Sequence, residues 1–289
     1  MRYLACCWCV LVLGFVEPLL AQTSYVRFTR DGWTAYGILE GEVIRELRGD
    51  LLDAPQPTGR TFALADVRLL APIDPAQVHK VIGVAVNTLG AGREGPIPHP
   101  RFFAKFPTSI RGPDDQVELP PEAGNLNYEG ELVLVIGREG RHIPEDSAVN
   151  YVFGVTIGND FSENTWYGER AGVEQPTRMI SKGTDSWAPI GPAIVTGIDF
   201  TDLGVEVRLN GEVVQRGRTS ELANEVPALI SYISRYLTLE PGDLIFTGTV
   251  GRVQGARRAM RAGDEIEVTI ERLGVLRNHI VPMDDGRSP

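Results

Sequence analysis

The chain has 289 residues, of which 43% are hydrophobic and 23% are charged, and its formal net charge is -10. These proportions are those of an ordinary globular protein and exclude a disordered chain. The negative charge leaves no basic stripe for phosphate groups, so we expect neither nucleic acid nor an anionic membrane as a partner.

The first residues form a segment of different composition. Arg2 precedes an apolar run that ends at Val16, and Ala21 offers a small residue for cleavage. This pattern is typical of a secretory signal peptide over residues 1–21. The run is shorter than the roughly 20 residues that a membrane-spanning helix needs, so we expect no stable membrane span after cleavage. The protein is therefore expected in the periplasm or outside the cell, and in the cytoplasm if the leader is not used.

Cysteine is confined to this leader. The chain has three cysteines, Cys6, Cys7 and Cys9. The mature protein is thus expected to have no disulfide, no thiolate nucleophile and no cysteine metal ligand.

Three short segments after the leader alternate apolar and polar residues. They cover residues 25–29, 33–39 and 42–47, and the turns Asp31-Gly32 and Glu40-Gly41 separate them. The pattern predicts an antiparallel meander. Proline-bearing segments follow, and those near residues 71–75 mark the expected boundary of a small N-terminal β domain over residues 22–74.

A second domain is expected over residues 75–285. Its pattern is one of short strands with long irregular connections, and such connections are usually functional in a compact domain. Asn210-Gly211 predicts a hairpin turn, and apolar residues at helical spacing predict a helix over 221–237. Strands are expected at residues 81–86, 101–106, 128–137, 151–160, 244–249 and 265–270, and the predicted hairpin covers residues 205–215.

Paired carboxylates stand at the head of the most apolar of these strands. Glu129 and Glu131 point to one side because side chains alternate along a strand, and Asp160 ends the next apolar strand. Oxygen ligands without cysteine or paired histidine suit a hard cation, namely Mg²⁺, Mn²⁺ or Ca²⁺. The alternative is a solvated strand face, but apolar residues follow on both faces and argue against it.

Several motifs together resemble the fumarylacetoacetate hydrolase family, in register from about residue 80 to residue 281. They are Tyr-Glu-Gly-Glu-Leu at 128–132, Gly-Asn-Asp-Phe-Ser at 158–162, Ser-Lys-Gly-Thr-Asp at 181–185, Pro-Ile-Gly-Pro at 189–192, Leu-Glu-Pro-Gly-Asp-Leu-Ile-Phe-Thr-Gly-Thr at 239–249 and Leu-Arg-Asn at 276–278. The resemblance implies an α+β, β-rich fold: a mixed β-sandwich or β-roll with a small N-terminal β domain, usually a homodimer with one Mg²⁺ or similar ion per subunit.

The resemblance also implies roles for particular residues. The metal ligands fall on Glu129, Glu131 and Asp160, the same residues that the strand pattern singles out. A catalytic lysine falls on Lys182, for which the alternative is a surface lysine paired with Asp185. Substrate-binding positions fall on Lys105, Gly248 and Thr249.

One departure from the family pattern bears on the chemistry. Hydrolytic members carry a lid of the form Asn-Tyr-x-x-His-x-x-Glu, and here residues 87–94 place Thr88 and Ala91 where the tyrosine and histidine stand. Glu94 keeps the glutamate and remains a catalytic candidate. The missing imidazole removes a general base that typically contributes about 10²–10⁴-fold in rate. His99 is the nearest histidine that could replace it.

These residues suit a small 2-oxo acid, 1,3-dicarbonyl or dienoate substrate whose enolate a metal ion stabilises. Isomerisation and decarboxylation use such an enolate directly, whereas carbon–carbon hydrolysis also needs an activated water. Carbon–carbon hydrolase and isomerase or decarboxylase therefore both stay open. A further alternative is an exported metal-binding protein of this fold that has lost catalysis.

Overall fold

The computed structural model describes residues 22–89, 94–167, 178–253, 256 and 258–284. The predicted leader and Ala91 of the predicted lid lie outside these residues. Within them, no helix is both long enough and apolar enough to cross a bilayer.

The N-terminal part is an antiparallel meander, as the alternating pattern predicted. Its strands are β1 (Thr23–Arg30), β2 (Trp33–Glu40), β3 (Val43–Arg48), β4 (Gln56–Ala63) and β5 (Arg68–Leu70). Asp31 and Gly32 connect the first two strands with φ angles of 49° and 83°, the left-handed conformation that tight hairpins require. Pro57 lies within β4 and is tolerated there because β4 is the edge strand of its sheet.

The remaining elements carry most of the candidate site residues. They are β6 (Val81–Ala85), β7 (Arg101–Lys105), β8 (Ile110–Arg111), β9 (Gln116–Leu119), β10 (Leu126–Asn127), β11 (Gly130–Ile136), β12 (Val152–Asn159), β13 (Ser162–Glu163), α1 (Met179–Gly183), β14 (Ala188–Thr196), β15 (Gly204–Leu209), β16 (Glu212–Arg218), α2 (Val226–Ser234), β17 (Leu244–Thr249), β18 (Glu265–Ile270) and β19 (Gly274–Pro282). Short 3-10 helices connect them at Leu64–Asp66, Pro75–Gln77, Pro107–Ser109, Glu145–Tyr151, Asn164–Tyr167 and Thr219–Glu221.

The strands form two large sheets and one small one. The first has the order β4-β3-β2-β1-β14-β12-β11-β17-β6-β7, with β5 beside β1 and β8 beside β14; the second has the order β16-β15-β18-β19-β9; and β10 pairs with β13. Most neighbouring strands are antiparallel, but β17 with β6, β14 with β8 and β19 with β9 are parallel. The strand-rich, mixed α+β fold expected from the sequence is therefore confirmed.

The N-terminal strands and the site strands share one sheet. β1 pairs with β14 from Thr23 opposite Thr196 to Tyr25 opposite Ile194. Main-chain hydrogen bonds thus join residues 22–74 to the rest of the chain, and the meander extends the sheet that carries the candidate site.

Strand β11 is an interior strand of this sheet, between β12 and β17, and is buried on both faces. Leu132, Leu134 and Ile136 belong to one hydrophobic core. Val133 and Val135 belong to a second core on the other face. The apolar run therefore excludes water from both sides of the strand that leads into the carboxylates.

Two local predictions have different outcomes. Asn210 and Gly211 form the hairpin turn between β15 and β16, with φ angles of 52° and 82°, as predicted. The helix predicted over 221–237 is shorter, because α2 begins at Val226 with Pro227 in its first turn. Leu222 instead makes an antiparallel bridge to Thr88, so this stretch holds the segment after β6 in place.

Candidate metal centre

The carboxylates meet where β11 and β12 run side by side. These strands pair with Gly130 opposite Asn159, so Glu129 and Asp160 occupy adjacent positions just beyond the paired ends. The Asp160 N–H donates to the Glu129 carbonyl at 2.8 Å and fixes this arrangement. Glu131 completes the group, and one carboxylate oxygen from each of the three residues lies within 4.8 Å of the others.

Lys182 lies between two of these carboxylates. It is part of α1, its side chain is only 2% exposed, and its Nζ donates to Glu129 Oε2 at 2.7 Å and to Asp160 Oδ2. The ring of Phe103 lies beneath the ammonium group, 4.9 Å from its centroid. Because Lys182 is buried and pairs with Glu129 and Asp160, the alternative of a surface lysine paired with Asp185 is wrong.

The structure gives Lys105 a different place from the predicted substrate-binding one. Its side chain is fully buried behind Asp160, with Nζ 2.7 Å from Asp160 Oδ1. Nζ donates to the main-chain carbonyls of Phe161 at 3.2 Å and Trp187 at 2.9 Å, and also to that of Lys182. An ammonium group has three N–H bonds, so these carbonyls leave none for a substrate. Lys105 is a positioning residue that supports Asp160.

Burial and charge shift the pKa values of these groups in different directions. Burial raises the pKa of Asp160, but the positive charges of Lys105 and Lys182 outweigh burial and hold the pKa below its ordinary value. Burial and the negative charges of Asp160 and Glu129 raise the pKa of Glu131 well above its ordinary value. Burial lowers the pKa of Lys105, an effect that the charge of Asp160 opposes. Glu131 is therefore less compensated by positive charge than Asp160.

The donor set fits a hard divalent cation. Glu129, Glu131 and Asp160 supply only oxygen ligands, which Mg²⁺, Mn²⁺ and Ca²⁺ prefer. Asp160 Oδ1 is buried and accepts no well-directed hydrogen bond from any described residue, although the charge of Lys105 is near. The three carboxylates also outnumber the two ammonium groups of Lys105 and Lys182. The excess negative charge lies in a buried position, where a cation would neutralise it.

Gly248 and Thr249 hold Glu131 and Gly130 in place. Strand β17 pairs with β11 so that Thr249 lies opposite Glu131. The Gly248 N–H donates to Glu131 Oε2 at 2.8 Å. The Thr249 hydroxyl donates to the Gly130 carbonyl at 3.0 Å and accepts from Gln215 Nε2 at 3.1 Å. Gly248 and Thr249, which were predicted to bind substrate, therefore both lie at the site. The Gly248 N–H, however, donates to the Glu131 carboxylate.

Asn87 anchors the segment after β6, and sequence reasoning gave it no role of its own. Its side chain is buried, with Nδ2 donating to the carbonyls of Asn224 at 3.0 Å and Thr247 at 2.8 Å. The Asn224 N–H donates back to Asn87 Oδ1 at 2.8 Å. Glu94 is exposed and is not among the described residues of the cavity wall. It follows residues 90–93, which are not among the described residues. An asparagine two residues after the end of a buried strand was the signal in the sequence.

A cavity of about 370 Å³ opens onto the carboxylates. Its described wall carries the acidic residues Glu129 and Glu131 and the basic residues Arg178, Lys182 and Arg252. Sequence reasoning missed both arginines, because neither belongs to a recognised motif. The four histidines of the chain all lie in the described part, and none of them lines the cavity: they are His79, His99, His142 and His279.

Comparison with known proteins gives concordant matches to two parts of the chain. The family model described as fumarylacetoacetate (FAA) hydrolase C-terminal matches residues 80–281. A second model, described as Rv2993c-like, N-terminal, matches residues 24–72.

Individual relatives cover most of the chain. The chain is 37% identical over 226 residues to human oxaloacetate tautomerase FAHD2A, mitochondrial, with 75% of this chain and 70% of that protein aligned. It is 37% identical over 257 residues to Protein Rv2993c of Mycobacterium tuberculosis, with 86% and 94% aligned. The crystal structure of 5-carboxymethyl-2-hydroxymuconate delta-isomerase from Mycobacterium smegmatis matches with a TM-score of 0.80 and 35% identity, over 90% of this chain and 100% of that one.

Proposed function

The chain belongs to the fumarylacetoacetate hydrolase family of enzymes, and from this premise we propose that it is a divalent-metal-dependent tautomerase or isomerase of 2-oxo acids. The relatives named as a tautomerase and an isomerase support this assignment. They also count against the alternative of a metal-binding protein without catalysis.

One observation carries the choice of isomerisation over hydrolysis. No histidine of the chain lines the cavity, whereas the ammonium group of Lys182 lies among the carboxylates at its base. Hydrolysis of a carbon–carbon bond needs a base that activates water, and imidazole is the side chain that most often serves. Shifting a proton between carbon and oxygen needs no water. The described cavity wall suits the second reaction.

Each residue of the centre has a defined task in this proposal. Glu129, Glu131 and Asp160 would hold the ion, which when bound supplies Lewis-acid polarisation of the 2-oxo group. Lys182 donates a hydrogen bond to the substrate's 2-oxo oxygen, where negative charge develops when the proton on C3 departs. A fixed cationic donor at such an oxygen is worth about 3–4 kcal/mol of transition-state stabilisation.

We assign acceptance of the C3 proton to Glu94, the catalytic candidate of the lid pattern. The family pattern places its carboxylate on the lid. The neighbouring residues 90–93 are not among the described residues. Glu94→Gln tests this role, because loss of a general base lowers kcat by about 10²–10⁴-fold while metal binding is unchanged. An unaltered kcat would remove Glu94 from the mechanism.

Enolised oxaloacetate provides the direct assay. We expect the protein with Mg²⁺ or Mn²⁺ to accelerate loss of the enol's ultraviolet absorbance, and EDTA to abolish the acceleration. Pyruvate formation, measured with lactate dehydrogenase, reports decarboxylation, and acid release from an acylpyruvate reports hydrolysis. If the protein formed pyruvate or hydrolysed the acylpyruvate but did not accelerate loss of the enol absorbance, the tautomerase proposal would be refuted.

A further inference from the structure

Arg252 is one of two arginines of the described cavity wall, with Arg178, that neither the metal centre nor the proposed proton transfer uses. It follows β17 by a few residues, and its side chain is 25% exposed. Nη1 of its guanidinium group is buried and has no hydrogen-bond partner among the described residues. A buried donor without an acceptor costs free energy, so its presence on a cavity wall points to an acceptor that a ligand supplies.

The backbone that carries Arg252 is held firmly against β16. Arg252 forms an antiparallel bridge to Gln215. The Arg216 N–H donates to the Gly251 carbonyl at 3.2 Å, and the Val253 N–H donates to the Val214 carbonyl at 3.1 Å. The arginine therefore projects from paired strand backbone, which is the kind of rigid support that a recognition residue requires.

The guanidinium group is also oriented. Nη2 donates to the Tyr128 carbonyl at 3.0 Å, and the group lies over the Tyr128 ring at 5.3 Å from its centroid. The carboxylate of Glu129 is also near, but its Oε1 is 3.8 Å from Nη2, too far for a hydrogen bond. Arg252 is thus fixed by one nitrogen and one ring face, while its side chain, 25% exposed, lines the cavity.

The position of Arg252 relative to Lys182 suggests the class of that ligand. Lys182 contacts Glu129 at Oε2 and Arg252 approaches the same carboxylate at Oε1, so the two cations flank one side chain. With Arg178, the described wall has three basic residues against two acidic ones, and a bound divalent cation would add further positive charge. This balance favours a dianion over a monoanion.

We propose that Arg252 binds the distal carboxylate of a short-chain 2-oxo dicarboxylic acid and so selects diacids over 2-oxo monoacids. This inference rests on the proposed function, since it takes the 2-oxo carboxylate end of the substrate to lie at the carboxylate cluster and Lys182. The planar guanidinium group matches a carboxylate in two parallel hydrogen bonds, which gives the recognition its geometry.

A matched pair of ligands isolates the distal carboxylate. Oxaloacetate and its 4-methyl ester differ at that end alone, where a neutral methyl ester replaces the carboxylate, and oxalate lacks the end altogether. Calorimetric titration of the Mn²⁺-loaded protein gives the dissociation constant of each ligand without requiring turnover. We expect wild-type protein to bind oxaloacetate about 10- to 100-fold more tightly than the ester, as a charged hydrogen-bonded contact implies.

Substitutions then assign this discrimination to Arg252. Arg252→Met should weaken oxaloacetate binding by about 10- to 100-fold, leave the ester and oxalate affinities unchanged, and preserve or increase Mn²⁺ affinity because Arg252 is near Glu129. Arg252→Lys should restore part of the difference, because it keeps the charge without the planar fork. Arg216→Met is the control, since Arg216 is a 64%-exposed arginine on the adjacent strand β16 that pairs with Glu206. It should change none of these constants.

Three results would overturn the inference: no preference of the wild type for oxaloacetate over its ester, an equal effect of Arg252→Met on both, or no effect. If Arg252→Met does not fold, Arg252→Lys tests the inference instead, by the same comparison of dissociation constants for oxaloacetate and its ester. Failure of the proposed function is a separate result, namely absence of metal-dependent tautomerisation by wild-type protein whatever the binding constants are.

Discussion

Lys105 Nζ and Asp160 Oδ1 lie 2.7 Å apart, with the two side chains 0% and 1% exposed. The pair joins the end of β7 to the end of β12, so it fixes one carboxylate of the candidate metal centre from behind. Because its charges are shielded from water, each depends on the other to remain ionised.

Lys105→Met should therefore destabilise the fold strongly. It leaves the carbonyls of Phe161, Lys182 and Trp187 without their donor and removes a charge that compensates Asp160. Loss of one partner from a buried pair typically costs about 3–5 kcal/mol of the free energy of unfolding. Urea unfolding of the metal-free protein measures this cost. The exposed pair of Arg216 with Glu206 is the control, and Arg216→Met should cost at most about 1 kcal/mol. Equal losses of unfolding free energy in the two variants would show that burial does not increase the contribution of the Lys105–Asp160 pair to stability.

Glu131→Gln should stabilise the metal-free protein at neutral and higher pH. The folded-state pKa of Glu131 lies well above its ordinary value, so the folded chain binds a proton that the unfolded chain has lost. Stability therefore falls as pH rises from the unfolded pKa through the folded one, and glutamine removes this loss. Thermal unfolding of wild type and variant across pH measures the difference. Parallel pH profiles would contradict the prediction.

Metal should reverse the order of these two proteins. Mn²⁺ requires ionised Glu131, so its stabilising effect on wild type should grow as pH rises through the folded pKa. Glu131→Gln should gain little from Mn²⁺ at any pH. The Mn²⁺-induced shift in melting temperature tests this, and a similar shift in both proteins would exclude Glu131 as a ligand.

Lys182→Met should separate catalysis from metal binding. The ammonium group competes with a cation for Glu129 and Asp160, so its removal should preserve or increase Mn²⁺ affinity. The donor to the developing oxyanion is lost, and kcat should fall by about 10²–10³-fold. Oxaloacetate tautomerisation and Mn²⁺ titration of the same preparation give both quantities. Mn²⁺ affinity that fell in proportion to kcat would assign Lys182 a purely structural role.

Gly248→Ala should disturb both the fold and the centre. Gly248 has a φ of 104°, and an added Cβ would lie 2.8 Å from the Asn87 Cβ. Gly263 is the matched control, because its φ is 91° but no atom lies within 4 Å of an added Cβ. Gly263→Ala should cost about 1–2 kcal/mol of unfolding free energy for the backbone conformation alone. Gly248→Ala should cost more and also weaken Mn²⁺ binding, since its N–H holds Glu131. Equal costs with unaltered Mn²⁺ affinity would contradict this.

The carboxylates were predictable from the sequence, because local patterns place them. An apolar run before Gly137 and another before Asp160 predicted two buried strands, and antiparallel pairing brings their polar ends together. Neither inference needs knowledge of distant parts of the chain, so the strand pattern and the family motifs agreed on the same residues.

The surroundings of the carboxylates depend on long-range packing and were harder to predict. Lys105 occurs in an alternating strand that gives no sign of full burial, and Asp160, which it supports, is distant in sequence. Arg252 reaches the cavity only because its segment pairs with β16. The joining of β1 to β14 is also a long-range contact, and proline-rich sequence between the two parts suggested a boundary.

Titration of the EDTA-treated protein with Mn²⁺, for wild type and Asp160→Asn, tests the central claim most directly. Glu129, Glu131 and Asp160 are taken to hold one divalent cation, so wild type should bind one Mn²⁺ per chain. Asp160→Asn should lose at least about 10-fold in affinity while it keeps the wild-type circular dichroism spectrum, because one charged ligand is removed. Equal Mn²⁺ binding by the two proteins, or none by wild type, would contradict the account.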